Sequence, residues 1–397
     1  IRESVPSSLD EAIEEEGVKC DDSVYAESEW RFQNRAATEL FGRLMSIGRQ
    51  LRSTHGVDMY RGVVTGLNDA FVIDTPTRNA LVAADPQCSK IIKKMLRGED
   101  LRPWYFEDEG RWLIFARRGI DIDAYPSVRE HLAAFRERLE PQPSDWSGAS
   151  GPWPGRKIGA YKWCEIQDSV DYFEAFDRPK IFWPEIGKLP RFSWDNEATF
   201  VNNKGFFLAT DEPWLLAVLQ ARVQWFCISQ LCVPLRLRGG LWQYQCEKQS
   251  IHRLRIPDTS ESERSALSEL ARKATSIARA RYQLHQTARH RILTDLGGKA
   301  TGLNQKLTTW WMLDFGEFRA EVKKAFKTSI PVAERGEWEN MLADWKRQHA
   351  TLTESLVACE VEINDRVYAL FSMSKDDIKF LDEHAKHAMI DYRYGEP

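Results

Sequence analysis

Apolar positions along the chain change rhythm twice. Phe32, Ala36, Leu40, Leu44, Ile47 and Leu51 recur every three to four residues, which predicts a helix over residues 30–52. From about residue 56 to 258 the apolar runs are short and bounded by Gly, Pro, Asn and Asp. They predict strands near 62–73, 81–83, 112–115, 180–183, 206–209 and 252–256. Residues 141–159 are rich in Pro, Gly and Ser and predict a loop. After Pro257 the helical rhythm returns. Ser260-Glu261-Ser262-Glu263 fits a capping box, and Ala266, Leu267, Leu270, Ala274, Ile277, Leu284 and Ile292 follow at helical spacing up to Gly297-Gly298. A second helical block carries Trp338, Met341, Leu342, Trp345, Leu352, Leu356, Cys359 and Ile363. A third starts at Ser374, an N-cap candidate with Asp377 three residues on. The expected class is α+β, with a lead-in and linker helix over 1–55, a mixed α/β domain over 56–258 and a helical extension over 259–397.

Composition changes this picture little, and charge changes it more. The 397 residues are 43% hydrophobic and 29% charged, ordinary for a globular protein. No apolar run reaches the roughly 18 residues of a membrane span. Net charge is −4, but it is unevenly spread. Residues 1–30 hold ten acids against two bases, whereas residues 221–310 hold fifteen bases against six acids. A basic face on an acidic chain is therefore expected, either as a solvated helix surface or as a phosphate-facing one. Seven cysteines form no Cys-x-x-Cys pair, which argues against a zinc ribbon. Their odd number argues against a full disulfide framework, so a reducing cytoplasm is expected. The chain opens on Ile1 with no signal-like segment, as expected of a piece of a longer protein.

The most informative stretch is Tyr60-Arg-Gly-Val-Val-Thr-Gly-Leu-Asn-Asp-Ala-Phe-Val-Ile-Asp74. It resembles the opening of the target-recognition domain in adenine-specific DNA methyltransferases and fused restriction-modification enzymes of the Eco57I and TaqI type. The resemblance continues through Leu96-Arg-Gly-Glu-Asp-Leu-Arg-Pro-Trp104, Trp112-Leu-Ile-Phe115, Tyr125-Pro126, His131-Leu132, Phe176-Asp-Arg-Pro-Lys-Ile-Phe-Trp-Pro184, Leu215-Leu-Ala-Val-Leu219 and Leu254-Arg-Ile-Pro257. In the helical part it includes Trp310-Trp311, Trp338-Glu339 and Ile363-Asn-Asp-Arg-Val-Tyr-Ala-Leu-Phe371. Gln220 and Ala221 stand where the family usually has asparagine and serine.

The resemblance implies sequence-specific recognition of double-stranded DNA for an adenine-N6 methyltransferase or a type IIG restriction-modification enzyme. Such enzymes hold the target adenine in an Asn/Asp-Pro-Pro-Tyr/Phe pocket. That tetrapeptide is absent here, and Asp85-Pro86-Gln87-Cys88 lacks the second proline and the aromatic. Catalysis and S-adenosylmethionine would then belong to a domain upstream or on another chain, with no cofactor on this one and other defence-system proteins as further partners. The different-class alternative is a non-catalytic protein-interaction scaffold of a phage-defence complex. A carbohydrate-binding module, suggested by tryptophan content alone, is disfavoured by the cysteine pattern and the missing signal segment.

Candidate DNA contacts follow from base chemistry. Arginine suits guanine, Asn and Gln suit adenine, and Asp suits cytosine. Arg61, Asn68, Arg97, Asp100, Arg102, Arg191, Arg236, Arg238 and Gln243 are the loop candidates, with Thr65 on the opening turn and Lys180 on the Pro-Lys-Ile strand. Gly62 and Gly66 are expected to let a partner such as DNA approach the backbone or to adopt positive φ, and Trp104, Trp146, Trp153 and Trp242 to stack or to anchor loops. Asp314…Glu321-Val-Lys323 has a passable spacing for a metal nuclease but reads as an amphipathic helix with a solvated Glu321. His384 and His387 lack a third ligand and read as surface histidines.

Overall fold

The computed structural model describes residues 35–54, 57–148 and 151–384. The acidic segment 1–30, Phe32, Cys20 and the His384 and His387 side chains lie outside what is described. Among the described residues the strands are β1 (Arg49–Gln50), β2 (Asp58–Arg61), β3 (Val72–Asp74), β4 (Ile92–Leu96), β5 (Arg111–Ile114), β6 (Lys180–Pro184), β7 (Ile186–Gly187), β8 (Ser193–Asp195), β9 (Phe200–Val201), β10 (Gly205–Ala209), β11 (Val233–Arg238), β12 (Leu241–Gln245) and β13 (Arg255–Ile256). Helices of seven residues or more are α1 (Arg35–Ser46), α2 (Thr75–Ala84), α3 (Pro126–Ala133), α4 (Trp214–Gln220), α5 (Arg222–Leu231), α6 (Glu261–Arg291), α7 (Phe315–Phe326), α8 (Arg335–Leu370) and α9 (Lys375–His384). The class is α+β, and everything long and helical follows residue 260.

An antiparallel sheet ordered β2-β10-β6-β8 forms the centre. Its inner strands read as unbroken apolar runs because both of its faces are covered. Ile181, Trp183, Phe206 and Leu208 point to the largest core cluster, while Phe182, Phe207 and Ala209 point to a second. The second core also takes one side of a sheet ordered β3-β5-β4-β9, in which β4 and β9 run parallel. The largest core carries α1, α4, α5, α6, α8 and α9 as well, so it runs across residue 258.

Several elements differ from the sequence reading. Residues 81–83 lie inside α2, because the Asp74 side chain caps that helix by accepting from Thr77 N at 2.8 Å, and Pro76 favours its first turn. Ala70 and Phe71 close a short helical turn, Asn68–Phe71, leaving only Val72–Asp74 as strand. Of 252–256, only Arg255 and Ile256 pair, with Gln50 and Arg49. The N-cap expectations hold at Ser260, whose hydroxyl accepts from Glu263 N, and at Ser374, which exchanges hydrogen bonds with Asp377, but the Glu263 carboxylate pairs with Arg366 instead of closing a capping box.

A third core cluster lies in the helical region, built on Trp310, Trp311, Phe318, Trp338 and Trp345. Asp314 caps α7, and Glu321 is buried and accepts from Asn304 Nδ2 at 2.7 Å. Glu321 is thus a packed helix residue rather than a solvated one. At the edge of this cluster α6 and α8 bring two buried histidines together, His285 Nε2 lying 2.9 Å from His349 Nδ1. Trp311 stacks on His285 at 4.1 Å. Burial, with the Arg281 guanidinium nearby, pushes His349 down to about 4 and His285 to about 2. A single shared hydrogen bond needs one ring to donate and the other to accept, so the neutral pair fits and a doubly charged pair does not.

In the unfolded chain both histidines titrate near 6.5. Their contribution to stability is present above that pH and is lost as pH falls toward the folded values. Between pH 7 and pH 5 the loss should be about 2 kcal/mol per histidine. Urea denaturation across this range measures it. The His285→Asn/His349→Asn double variant should show a shallower pH dependence, and an unchanged slope would be inconsistent with a neutral buried pair.

Candidate nucleic-acid interface

The segment Val233–Gln245 contains two arginines and no acid. It folds as a hairpin, β11 against β12, closed by Gly239 and Gly240 at φ +62° and +75°. Two adjacent residues at positive φ make the two-residue turn that matches strand twist, and glycine takes that backbone at no steric cost. The hairpin is anchored at one end only. Tyr244 and Gln245 pair with Gly187 and Ile186 of β7, and Tyr244 meets Trp225 edge-on at 5.9 Å. All six residues of β11 are exposed.

The register sorts the two faces. Arg236 lies opposite Gln243, and Arg238 opposite Leu241, so both arginines and Gln243 share one face. Leu237 lies opposite Trp242 on the other face. Arg236 Nε donates to Gln243 Oε1 at 2.6 Å, which holds its guanidinium in place. Neither arginine has a carboxylate partner among the described residues. Lys188 stands beside the turn, its ammonium 3.9 Å from where a Cβ on Gly239 would sit. The hairpin end is therefore a cluster of uncompensated positive charge on a ribbon narrow enough for a major groove.

A second group of predicted residues converges on the turn Asn202–Lys204. Val63 N and Asn202 N donate to Val201 O and Leu96 O, which ties the loops after β2 and β4 to this turn. Arg61 Nε donates to Asn203 O, and Asn202 Oδ1 accepts from Gly98 N. Arg97 pairs with Glu99 and Lys204 with Glu185, and Glu185 O accepts from Cys246 N just beyond β12. Arg61, Arg97, Lys204 and the hairpin are thus linked through one run of backbone.

Other predicted residues are spent inside the protein. Lys180 is fully buried and gives its donors to Phe176 O, Arg178 O and the Asp195 carboxylate, at 2.6, 3.0 and 2.8 Å. It has no path to a DNA surface. Asp100 is buried, accepting from Arg97 N and Arg111 Nη1. Thr65 is buried and donates to Asn68 Oδ1 at 2.7 Å. Arg102 is bound to Glu107 and to two carbonyls of its own loop. Arg191 lies half-buried between β7 and β8. Trp104 is fully buried and donates to Glu360 on α8 at 2.9 Å, so it packs rather than stacks on a base. Trp153 meets Trp146 edge-on within the 141–159 loop and donates to Glu140 O just before it.

Two residues passed over by sequence reasoning matter here. Arg156, in the Pro/Gly-rich segment, is buried and donates to five carbonyls, those of Leu139, Thr65, Glu165, Lys162 and Trp163. It fixes the opening turn from behind, and a lone arginine in a low-complexity stretch gives no sequence signal for that. Lys188 reaches the hairpin only through the pairing of β7 with β12, a long-range event.

A family model described as a domain of unknown function (DUF8810) matches residues 260–367, the span of α6, α7 and most of α8. No curated protein matches the chain. Among solved structures, the Type IIL restriction-modification enzyme MmeI in complex with DNA aligns at TM-score 0.45 and 14% identity, covering 86% of this chain and 36% of the other. The type IIG restriction endonuclease BpuSI aligns at TM-score 0.38 and 13% identity, covering 84% and 33%. The chain spans about a third of the length of either. Likeness at this level carries no functional conclusion.

Gly62 and Gly98 owe their identity to the protein's own turn. A Cβ on Gly62 would lie 2.0 Å from Asn202 O, and one on Gly98 2.0 Å from Lys204 O. Gly66 adopts φ +83°, as the positive-φ expectation has it, and a Cβ there would meet Arg156 and Gln167, whereas the close approach at Gly62 is made by the protein's own turn rather than by DNA. Gly62→Ala and Gly98→Ala should each destabilise the fold by about 1–3 kcal/mol or more. Gly240→Asn, where nothing lies within 4 Å, should be near neutral. Chemical denaturation of the three variants measures the difference.

Proposed function

We propose that this chain recognises a short double-stranded DNA sequence on behalf of an adenine-N6 DNA methyltransferase or a type IIG restriction-modification enzyme. The carrying observation is the exposed β11–β12 ribbon, with Arg236, Arg238 and Gln243 on one face, Lys188 beside its turn, and no carboxylate among the described residues compensating the arginines. A two-stranded ribbon fits the major groove, and arginine and glutamine are the side chains that read guanine and adenine there. The ordered series of motifs resembling the target-recognition region supports the same reading. Arg61, Arg97 and Lys204 then serve as flanking phosphate contacts, since phosphate takes half or more of protein–DNA hydrogen bonds. Methyl transfer and S-adenosylmethionine belong, in this reading, to a catalytic domain outside the chain, because the adenine-pocket tetrapeptide is missing from it.

The exposed apolar side chains of the same small sheet favour a second reading, contact with another protein. Ile186, Val233, Leu235, Leu237 and Trp242 are all exposed, a concentration of large apolar side chains on one small sheet. A non-catalytic scaffold of a phage-defence complex would use that surface.

Gel-shift titration at two salt concentrations separates the readings. DNA recognition predicts binding whose log affinity falls with log salt at a slope of about −0.9 per phosphate contact. Arg236→Ala or Arg238→Ala should cost about 1–3 kcal/mol if the side chain reads a base, with relaxed preference at one position. An equal weakening on every sequence would make it a phosphate contact. Affinity unchanged by both substitutions would remove the ribbon from the DNA interface and leave the scaffold reading. The chain alone, incubated with labelled S-adenosylmethionine and DNA, should transfer no methyl group.

A further inference from the structure

At the start of β4 and the end of β5, away from the hairpin, the surface closes into a cavity of about 300 Å³. Four cations line it, Lys90, Lys93, Arg117 and Arg118, against a single acid, Asp177. None of the four pairs with a carboxylate among the described residues. Lys90 Nζ donates to the neutral Gln87 Oε1 at 2.9 Å, and Arg118 Nη2 to Gln167 O at 3.2 Å, which leaves their charge uncompensated. The neighbouring Lys94 and Arg111 of the same sheet each have an acidic partner, Asp108 and Asp100. Like charges gathered in a concave site raise one another's energy unless an anion joins them.

The cavity is also aromatic. Phe115, Phe173 and Phe200 contribute to its walls, and the Arg117 guanidinium lies 3.8 Å from the centre of the Phe173 ring. Phosphate alone would use the cations and leave these rings idle. A planar apolar group joined to a phosphate uses both, since bases stack on aromatic and guanidinium faces. Asp177 supplies an acceptor for a sugar hydroxyl or an exocyclic amine. The volume lies at the small end of ligand pockets. We propose that this cavity binds a nucleoside monophosphate group, either free or as one residue of a nucleic-acid strand. Arg117 and Lys93 would hold the phosphate and Phe173 the base. The site lies at the opposite end of β4 from Arg97, about 16 Å away along a five-residue strand. It does not depend on the DNA-recognition reading.

Isothermal titration of the chain with adenosine monophosphate, adenosine, inorganic phosphate and a 5′-phosphorylated trinucleotide tests it. Adenosine monophosphate should bind at one site, about tenfold tighter than phosphate or adenosine. Arg117→Ala and Lys93→Ala should each weaken it by about tenfold, and Phe173→Leu should weaken the nucleotide but not phosphate. Tighter binding of the trinucleotide would assign the site to a strand, and equal or weaker binding to a free nucleotide. No saturable binding, equal affinity for phosphate and nucleotide, or affinity indifferent to Arg117 and Lys93 would each overturn the proposal. Thermal melts establish that the variants fold, and Arg117→Gln, which keeps much of the side chain over Phe173 without the charge, replaces Arg117→Ala if that variant does not.

Discussion

Burial of α4 on every side is the constraint around which the rest of the protein is arranged. All seven residues from Trp214 to Gln220 are inaccessible or nearly so. A helix apolar all round cannot lie on a surface, so it must be enclosed by several elements at once. α5, α6 and α8 pack directly against α4, and the same core cluster takes in Ile181 and Trp183 of the central sheet, Leu40 and Leu44 of α1, Leu267 and Ala271 of α6, and Ile363 and Val367 of α8. Small residues on the facing side of α6, Ala271, Ala274 and Ala278, let that helix come close. Two hydrogen bonds tie the end of α4 to its surroundings, although Gln220 Nε2 is buried without a partner among the described residues. Gln220 Oε1 accepts from Phe192 N at 2.9 Å, and Asn364 on α8 accepts from Arg222 N at 2.9 Å. Trp104 donating to buried Glu360 adds a further link between the sheet region and α8.

This enclosure gives the hairpin its meaning. A protein that buries a whole helix and both faces of a sheet leaves one six-residue strand exposed throughout its length. An isolated two-stranded ribbon is marginal in water, and this one is held at its base, by Tyr244 and Gln245 at β7, Tyr244 against Trp225 and Cys246 N on Glu185 O, with the Arg236–Gln243 hydrogen bond farther out. Its exposed apolar side chains add nothing to the fold where they stand. The physical argument for a partner is therefore that the ribbon has contacts to gain and few to lose.

What could be read in the sequence, and what could not, divides along the range of the interactions. The runs at Lys180–Trp183 and Phe206–Ala209 were legible as strands because both faces are apolar, and the helix starts at Ser260 and Ser374 because caps are local. The run at 81–83 misled because three apolar residues carry no period, while Asp74 and Pro76, which decide the matter, lie upstream. Lys180 was indistinguishable from a surface lysine in sequence. Its partner Asp195 arrives across β8, and burial then lowers the lysine's affinity for its proton while that carboxylate opposes the effect. Gly62 was recognisable as a close-approach position, but what approaches is the Asn202–Lys204 turn, and Gly98, which meets the same turn, gave no such signal. Of the candidate contacts, Arg236, Arg238 and Gln243 came together because a hairpin is local.

The pairing of charges separates structure from candidate function more sharply than exposure does. Arg97, Arg102 and Arg111 sit at sheet edges and loops, and each has a carboxylate within hydrogen-bonding distance in its own neighbourhood. Their positive charge is matched where it stands, so an external anion would have to compete with a carboxylate already in place. Arg236, Arg238 and Lys188 at the hairpin, and Lys93 and Arg117 at the cavity, have no such match among the described residues. In a chain carrying more acids than bases, carboxylates are not scarce. Their exclusion from these two places, one a ribbon and the other an aromatic hollow, leaves electrostatic energy that an external anion would recover. Phosphate is common to the two anions proposed, and the surrounding shape decides whether it comes as a duplex groove or as a single nucleotide.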